Sequence, residues 1–144
     1  MKTKIYSIFA VAIVVGIGYV ISNPLVFHIC SNVYQFGKDI GCSDDIVKNV
    51  GNPLFIFSPW ILLTVIVAAF FSDGIFKSWF YFALWTIPLA VVFIVATHVS
   101  TNAYIDFFPF YRDDAARLVG EVFAGVSLTL VIWKWFSSCR SGKV

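Results

Sequence analysis

Charge is scarce in this sequence, and the little there is avoids long stretches of the chain. Of 144 residues only 12% are Asp, Glu, Lys or Arg, about half the share of a soluble domain. None falls between Lys4 and Lys38, between Lys48 and Asp73, or between Lys77 and Asp106. Helices of a soluble core need a polar face towards water, so these gaps exclude an ordinary globular fold. A Cys-x-x-Cys pair is also missing, which removes the motif used by membrane-embedded thiol oxidoreductases. There is no nucleotide-binding or catalytic motif. His28 and His98 are too isolated to argue for zinc or haem. Asp44-Asp45 and Asp113-Asp114 lack the alternating oxygen ligands of a calcium loop. No cofactor is expected. The ten Lys and Arg residues are scattered rather than striped, so nucleic acid is not an expected partner.

What remains is apolar: 60% of the residues are hydrophobic. Four stretches, Ile5–Ser22, Leu54–Ser72, Ser78–His98 and Leu118–Phe136, are apolar enough to cross a bilayer. A hydrocarbon layer about 30 Å thick takes about 20 helical residues, and each stretch meets that length. The expected fold is all-α, an integral membrane four-helix bundle in one domain covering residues 1–144, with loops at about 23–53 and 99–117. Met-Lys-Thr-Lys before an apolar run also opens a secretory signal. Val20 and Ser22 make a poor cleavage pair, and the apolar run continues through Pro24-Leu-Val-Phe, so the first stretch reads as a retained helix. Ser72-Asp73-Gly74 supplies turn chemistry, and the helices on either side should form an antiparallel hairpin. Pro24 and Asn52-Pro53 bound the first loop, and Asp113-Asp114 is placed to cap the fourth helix.

Orientation follows from the basic residues. With the N-terminus inside, Lys2, Lys4, Lys77, Lys134, Arg140 and Lys143 are cytoplasmic, against Lys38, Lys48, Arg112 and Arg117 outside. That bias places both termini in the cytoplasm. Trp60, Trp79, Trp133 and Trp135 fall near segment ends, as expected of interfacial rings. Trp85 lies deeper, so its indole N–H needs a partner within the bundle. Pro88 removes a backbone hydrogen bond within its helix, and a neighbouring helix should cover the freed carbonyl. Ala12 with Gly16, and Gly120 with Ala124, have the small-residue spacing that lets membrane helices approach closely.

Three groups of residues are candidates for function. Cys30 and Cys42 share the first loop, with Gly37 and Gly41 to let the chain fold back. In an oxidising compartment a structural disulfide is expected, worth about 2–3 kcal/mol; Cys139 is left as a free thiol. Glu121 is the one carboxylate inside an apolar stretch. With Arg117 and His98 it forms a candidate intramembrane polar site, read either as a relay or as a helix-start carboxylate paired with Arg117. The segment from Asn102 to Asp114 interleaves five aromatics with Pro109, acids and Arg112. Its Tyr104, Phe108, Tyr111 and Arg112 are a candidate partner-contact loop, read equally as a short connection anchored in the headgroups by its rings.

Three stretches, Gly51-Asn-Pro-Leu-Phe-Ile-Phe-Ser-Pro, Phe76-Lys-Ser-Trp-Phe-Tyr-Phe-Ala-Leu-Trp-Thr-Ile-Pro-Leu and Ser127-Leu-Thr-Leu-Val-Ile-Trp-Lys, resemble a family of uncharacterised short four-helix bacterial membrane proteins. The resemblance implies the four-helix layout and a bacterial inner membrane, and no activity. The expectation is therefore a non-enzymatic accessory or immunity-type protein in the lipid bilayer. Its partner would be a membrane or extracytoplasmic protein. The alternative is a transporter or channel component, working as a homo-oligomer with Glu121 in the path.

Overall fold

The computed structural model of the protein describes residues 2–24, 26–27, 33–35, 38–40, 47–97 and 112–140. Four long helices account for most of them: α1 (Lys2–Ser22), α2 (Asn52–Ala69), α3 (Asp73–Ala96) and α4 (Arg112–Arg140). All four are long and apolar enough to cross a membrane. The ends lie close to those expected, because the same 20-residue requirement governs each helix. The main departure is α4, which begins at Arg112. Asp113 and Asp114 are therefore not caps but part of its first turn, where their charge still meets the positive end of the helix dipole.

Between α1 and α2 the chain makes a feature not expected from the sequence. Strands β1 (Val33–Gln35) and β2 (Lys38–Ile40) pair antiparallel, with Val33 opposite Ile40 and Gln35 opposite Lys38. A single π-helical turn, Val47–Gly51, then leads into α2. Gly51 allows a close approach there: a Cβ would lie 3.0 Å from the Ile21 backbone.

The packing order is α1–α2–α4–α3. Residues Phe70–Ser72 make the turn between α2 and α3, while Asp73 and Gly74 already belong to α3. The two helices touch little, and α4 packs against both. The expected hairpin is therefore splayed. Phe123 of α4 shows how the gap is filled: its ring stacks on Phe82 of α3 at 5.9 Å and meets Phe57 of α2 edge-on at 6.2 Å. Around it the core is built from Phe57, Ile61, Val65 and Ala68 on α2, Phe76, Trp79 and Ala83 on α3, and Ala116 and Val131 on α4.

Glycines set the closest approaches, but only partly at the expected positions. Gly18 of α1 lies against the Phe55 backbone, where a Cβ would sit 3.0 Å from the amide nitrogen, and Gly120 of α4 lies under the Trp60 ring. Ala124, one turn from Gly120, is buried as well. Ala12 and Gly16 are instead exposed, and nothing lies within 4 Å of a Gly16 Cβ. The α1 contact thus runs through Gly18, on nearly the opposite side of the helix from Gly16.

Candidate functional site

Arg112, the first residue of α4, reaches across to two other parts of the chain. Its Nη2 donates to the carbonyls of Val95 and Thr97, both at 3.1 Å, and its Nε to Thr97 at 3.3 Å. Its Nη1 donates to the Asn49 side-chain oxygen at 2.7 Å. Val95 and Thr97 stand at the C-terminal end of α3, where carbonyls have no partner within the helix and a cation is favoured by the dipole. Asn49 lies in the π-turn that opens α2. Next to Arg112, the Asp113 carboxylate lies beside the Asn52 side chain. One end of the bundle is thereby tied together by the Arg112 side chain.

The opposite end carries a similar device. Lys4 of α1 donates to the carbonyls of Phe71 at 2.6 Å and Ala69 at 3.3 Å, and pairs with Asp73 at 2.9 Å. Its ammonium also lies 5.7 Å from the Phe76 ring centre. Here too a cation from the start of one helix covers the C-terminal carbonyls of another. Neither tie was anticipated from the sequence. The available signal was Lys4 and Asp73, opposite charges on the same side of the predicted bundle.

Of the candidate polar site, Arg117 and Glu121 do meet: Nε donates to Oε1 at 3.0 Å, one helical turn apart. Both side chains are exposed and point away from the other helices. His98 lies outside the described residues, as do Tyr104, Phe108 and Tyr111 of the candidate contact loop and both Cys30 and Cys42. Arg112, the remaining member of that loop, is engaged within the bundle as just described. Cys139 is exposed with a free thiol.

Among the described residues, three hydroxyl-bearing side chains are buried in the interior, Ser58, Thr64 and Ser127. Thr64 donates back to the Ile61 carbonyl at 3.0 Å. Ser58 Oγ, Ser127 Oγ and Trp79 Nε1 are buried with no hydrogen-bond partner among the described residues. Trp79, only 2% exposed, packs on Phe76 in the core, and Trp60 is half-buried over Gly120. Trp133 and Trp135 remain on the outside of α4.

Trp85 reverses its expectation. It is 76% exposed and directed away from the other three helices. Pro88, one turn on, is exposed too, and so is Leu84, whose carbonyl has no amide hydrogen to accept from at position 88. No helix among the described residues covers Trp85 or Leu84. Comparison with protein-family models, curated proteins and solved structures finds no match for the chain.

Proposed function

We propose that the chain is a non-enzymatic bacterial inner-membrane protein that acts by contacting another protein through the aromatic segment between α3 and α4. In this reading both termini are cytoplasmic, as the Lys and Arg count favours, and an accessory or immunity-type role follows. The observation that carries it is the bond from Arg112 to the Thr97 carbonyl. It joins the two residues that flank positions 98–111, so the ends of a segment rich in Tyr and Phe are held together. Fixing the ends of a loop lowers the entropy lost when it docks, and Tyr and Phe are favoured contact residues. The disulfide between Cys30 and Cys42 belongs to the same proposal. The β1–β2 register folds the chain back on itself between them, and an oxidising outer face would close the pair.

The test is crosslinking in native membranes through a C-terminal tag, followed by identification of what co-purifies. A heterologous protein captured at fixed stoichiometry, and lost with Tyr104→Ala and Tyr111→Ala, is the expected result. Full recovery of the partner with both substitutions would remove the loop from the contact. The transport alternative draws on one observation. The Glu121 carboxylate is exposed on the outside of α4, where adjoining copies of the protein would bring it beside a shared path.

A further inference from the structure

We propose that the outward face of α3 is a membrane-embedded self-association surface, on which a second copy of this chain pairs reciprocally with Trp85 and Leu84. The inference rests on the reading above that α3 crosses the bilayer. Exposed apolar side chains alone argue nothing here, since lipid covers them as well as protein does. The polar groups among them are the signal.

Trp85 lies twelve residues from Asp73 and eleven from Ala96, or about 18 and 16 Å along the axis at 1.5 Å per residue. It is thus near the middle of the span. An indole side chain is too short to carry its N–H about 15 Å to either interface. With 76% of the residue exposed, that donor points into hydrocarbon, which has no acceptor to offer. One residue away, the Leu84 carbonyl is an acceptor without its helical donor, because Pro88 has no N–H. Leu84 is 55% exposed, and Leu89 and Val92 continue the same outward stripe at 67% and 65%.

An unpaired donor and an unpaired acceptor therefore sit on one face at one depth. All copies insert in the same direction, so the symmetric arrangement open to them is a two-fold axis along the membrane normal. Rotation about that axis keeps depth unchanged. It brings Trp85 of each copy to the level of Leu84 in the other, and both hydrogen bonds form at once. Leu89 and Val92 then pack against their counterparts. A different protein would have to supply a matching acceptor and donor at the same level, whereas an identical copy carries both.

The experiment uses the full chain, labelled at its C-terminus and reconstituted in phosphatidylcholine vesicles, with resonance energy transfer followed over a range of protein-to-lipid ratios. Wild type should show a saturating dimer. Trp85→Phe keeps the ring and loses the donor; Pro88→Ala returns an amide hydrogen to Leu84 and occupies the acceptor. Each removes two symmetric bonds and should weaken association about tenfold. Leu63→Ala, on the outward face of α2, should leave it unchanged. A photo-crosslinker at Leu89 in native membranes should capture a second copy. Trp85→Phe dimerising like wild type, a monomer at every ratio, or capture of a different protein would each overturn the proposal. Release of the chain from membranes by alkaline carbonate is read separately, and would remove the spanning reading beneath it.

Discussion

Arg112 and Thr97 are fifteen positions apart, yet the Arg112 guanidinium donates to the Thr97 carbonyl through both Nε and Nη2, at 3.3 and 3.1 Å. The contact does two things together. It covers the end of α3 with a positive charge, and it fixes the base of the segment that links α3 to α4. Replacing Arg112 by Ala deletes these bonds and the 2.7 Å bond to Asn49, leaving Asn49 and the α3 carbonyls to find other donors. Hydrogen bonds to a charged group contribute about 1.5–3 kcal/mol, so Arg112→Ala should lower stability by about 2–3 kcal/mol. Lys at this position should recover only part of that, because an ammonium lacks the planar fork that serves three acceptors. Thermal unfolding in detergent measures the loss, and limited proteolysis should show faster cleavage within 98–111.

At the other end, Lys4 and Asp73 should behave unequally despite being bonded to each other. Asp73 is 72% exposed on its side chain, and an exposed ion pair is worth about 0–1 kcal/mol. Lys4 is only 15% exposed and also holds the Phe71 and Ala69 carbonyls. Asp73→Ala should therefore cost little, and Lys4→Ala about 1–3 kcal/mol. A double-mutant cycle between them should give a small coupling energy. Equal losses from both single substitutions would mean that the ion pair, rather than the covering of α2, is what stabilises this end.

The two glycines of the small-residue spacing offer a sharp contrast. A Cβ on Gly120 runs into the Trp60 ring, while one on Gly16 meets nothing within 4 Å. Gly120→Ala should destabilise by about 1–3 kcal/mol through overpacking. Gly16→Ala should be neutral or stabilising by up to about 1 kcal/mol through helix propensity. Both are read from unfolding in detergent, with Gly120→Ala combined with Trp60→Leu as the variant that should recover stability.

How far the sequence could be read depended on which physical constraint applied. Bilayer thickness sets helix length, so Lys2–Ser22 and Asp73–Ala96 were visible as apolar runs, as was the Arg117–Glu121 pair from its one-turn spacing. Rotation about each helix axis was not visible. A helix apolar on every side has no polar stripe to mark its outside. Trp79 and Trp85, six positions apart, show this: Trp79, near the start of α3, is turned into the core, and Trp85, expected to find a partner within the bundle, faces outward. Neighbour choice was hidden for a similar reason. A three-residue turn joins α2 to α3, yet α4 packs between them, because close packing of Phe123 against both outweighs proximity along the chain. Arg112 looked like a docking side chain because its acceptors are carbonyls, which no residue identity announces.

Cys30 and Cys42 give a prediction that does not depend on the helices. Val33 pairs with Ile40, so the two cysteines flank a segment that the chain has already doubled back, three and two positions beyond the paired residues. The protein isolated without reductant should migrate faster in a denaturing gel than after reduction. Only Cys139 should then react with a maleimide under oxidising denaturing conditions. Three reactive thiols in freshly isolated membranes would remove the disulfide.

Glu121 separates the interaction reading from the transport alternative. Its carboxylate accepts from Arg117 at 3.0 Å, with the two side chains 48% and 73% exposed, so the pair contributes only a few tenths of a kcal/mol. Glu121→Gln keeps the shape and a hydrogen-bond acceptor for Arg117 while removing the charge. If the protein works by contact through the aromatic segment, this variant should insert, accumulate and capture its partner as wild type does. A proton or cation route lined by Glu121 would instead lose its titratable group. Flux across vesicles, or a growth phenotype, would then fall while the amount of inserted protein stayed constant. Because substitution leaves packing almost untouched, a change in flux at unchanged abundance would belong to the charge and not to the fold.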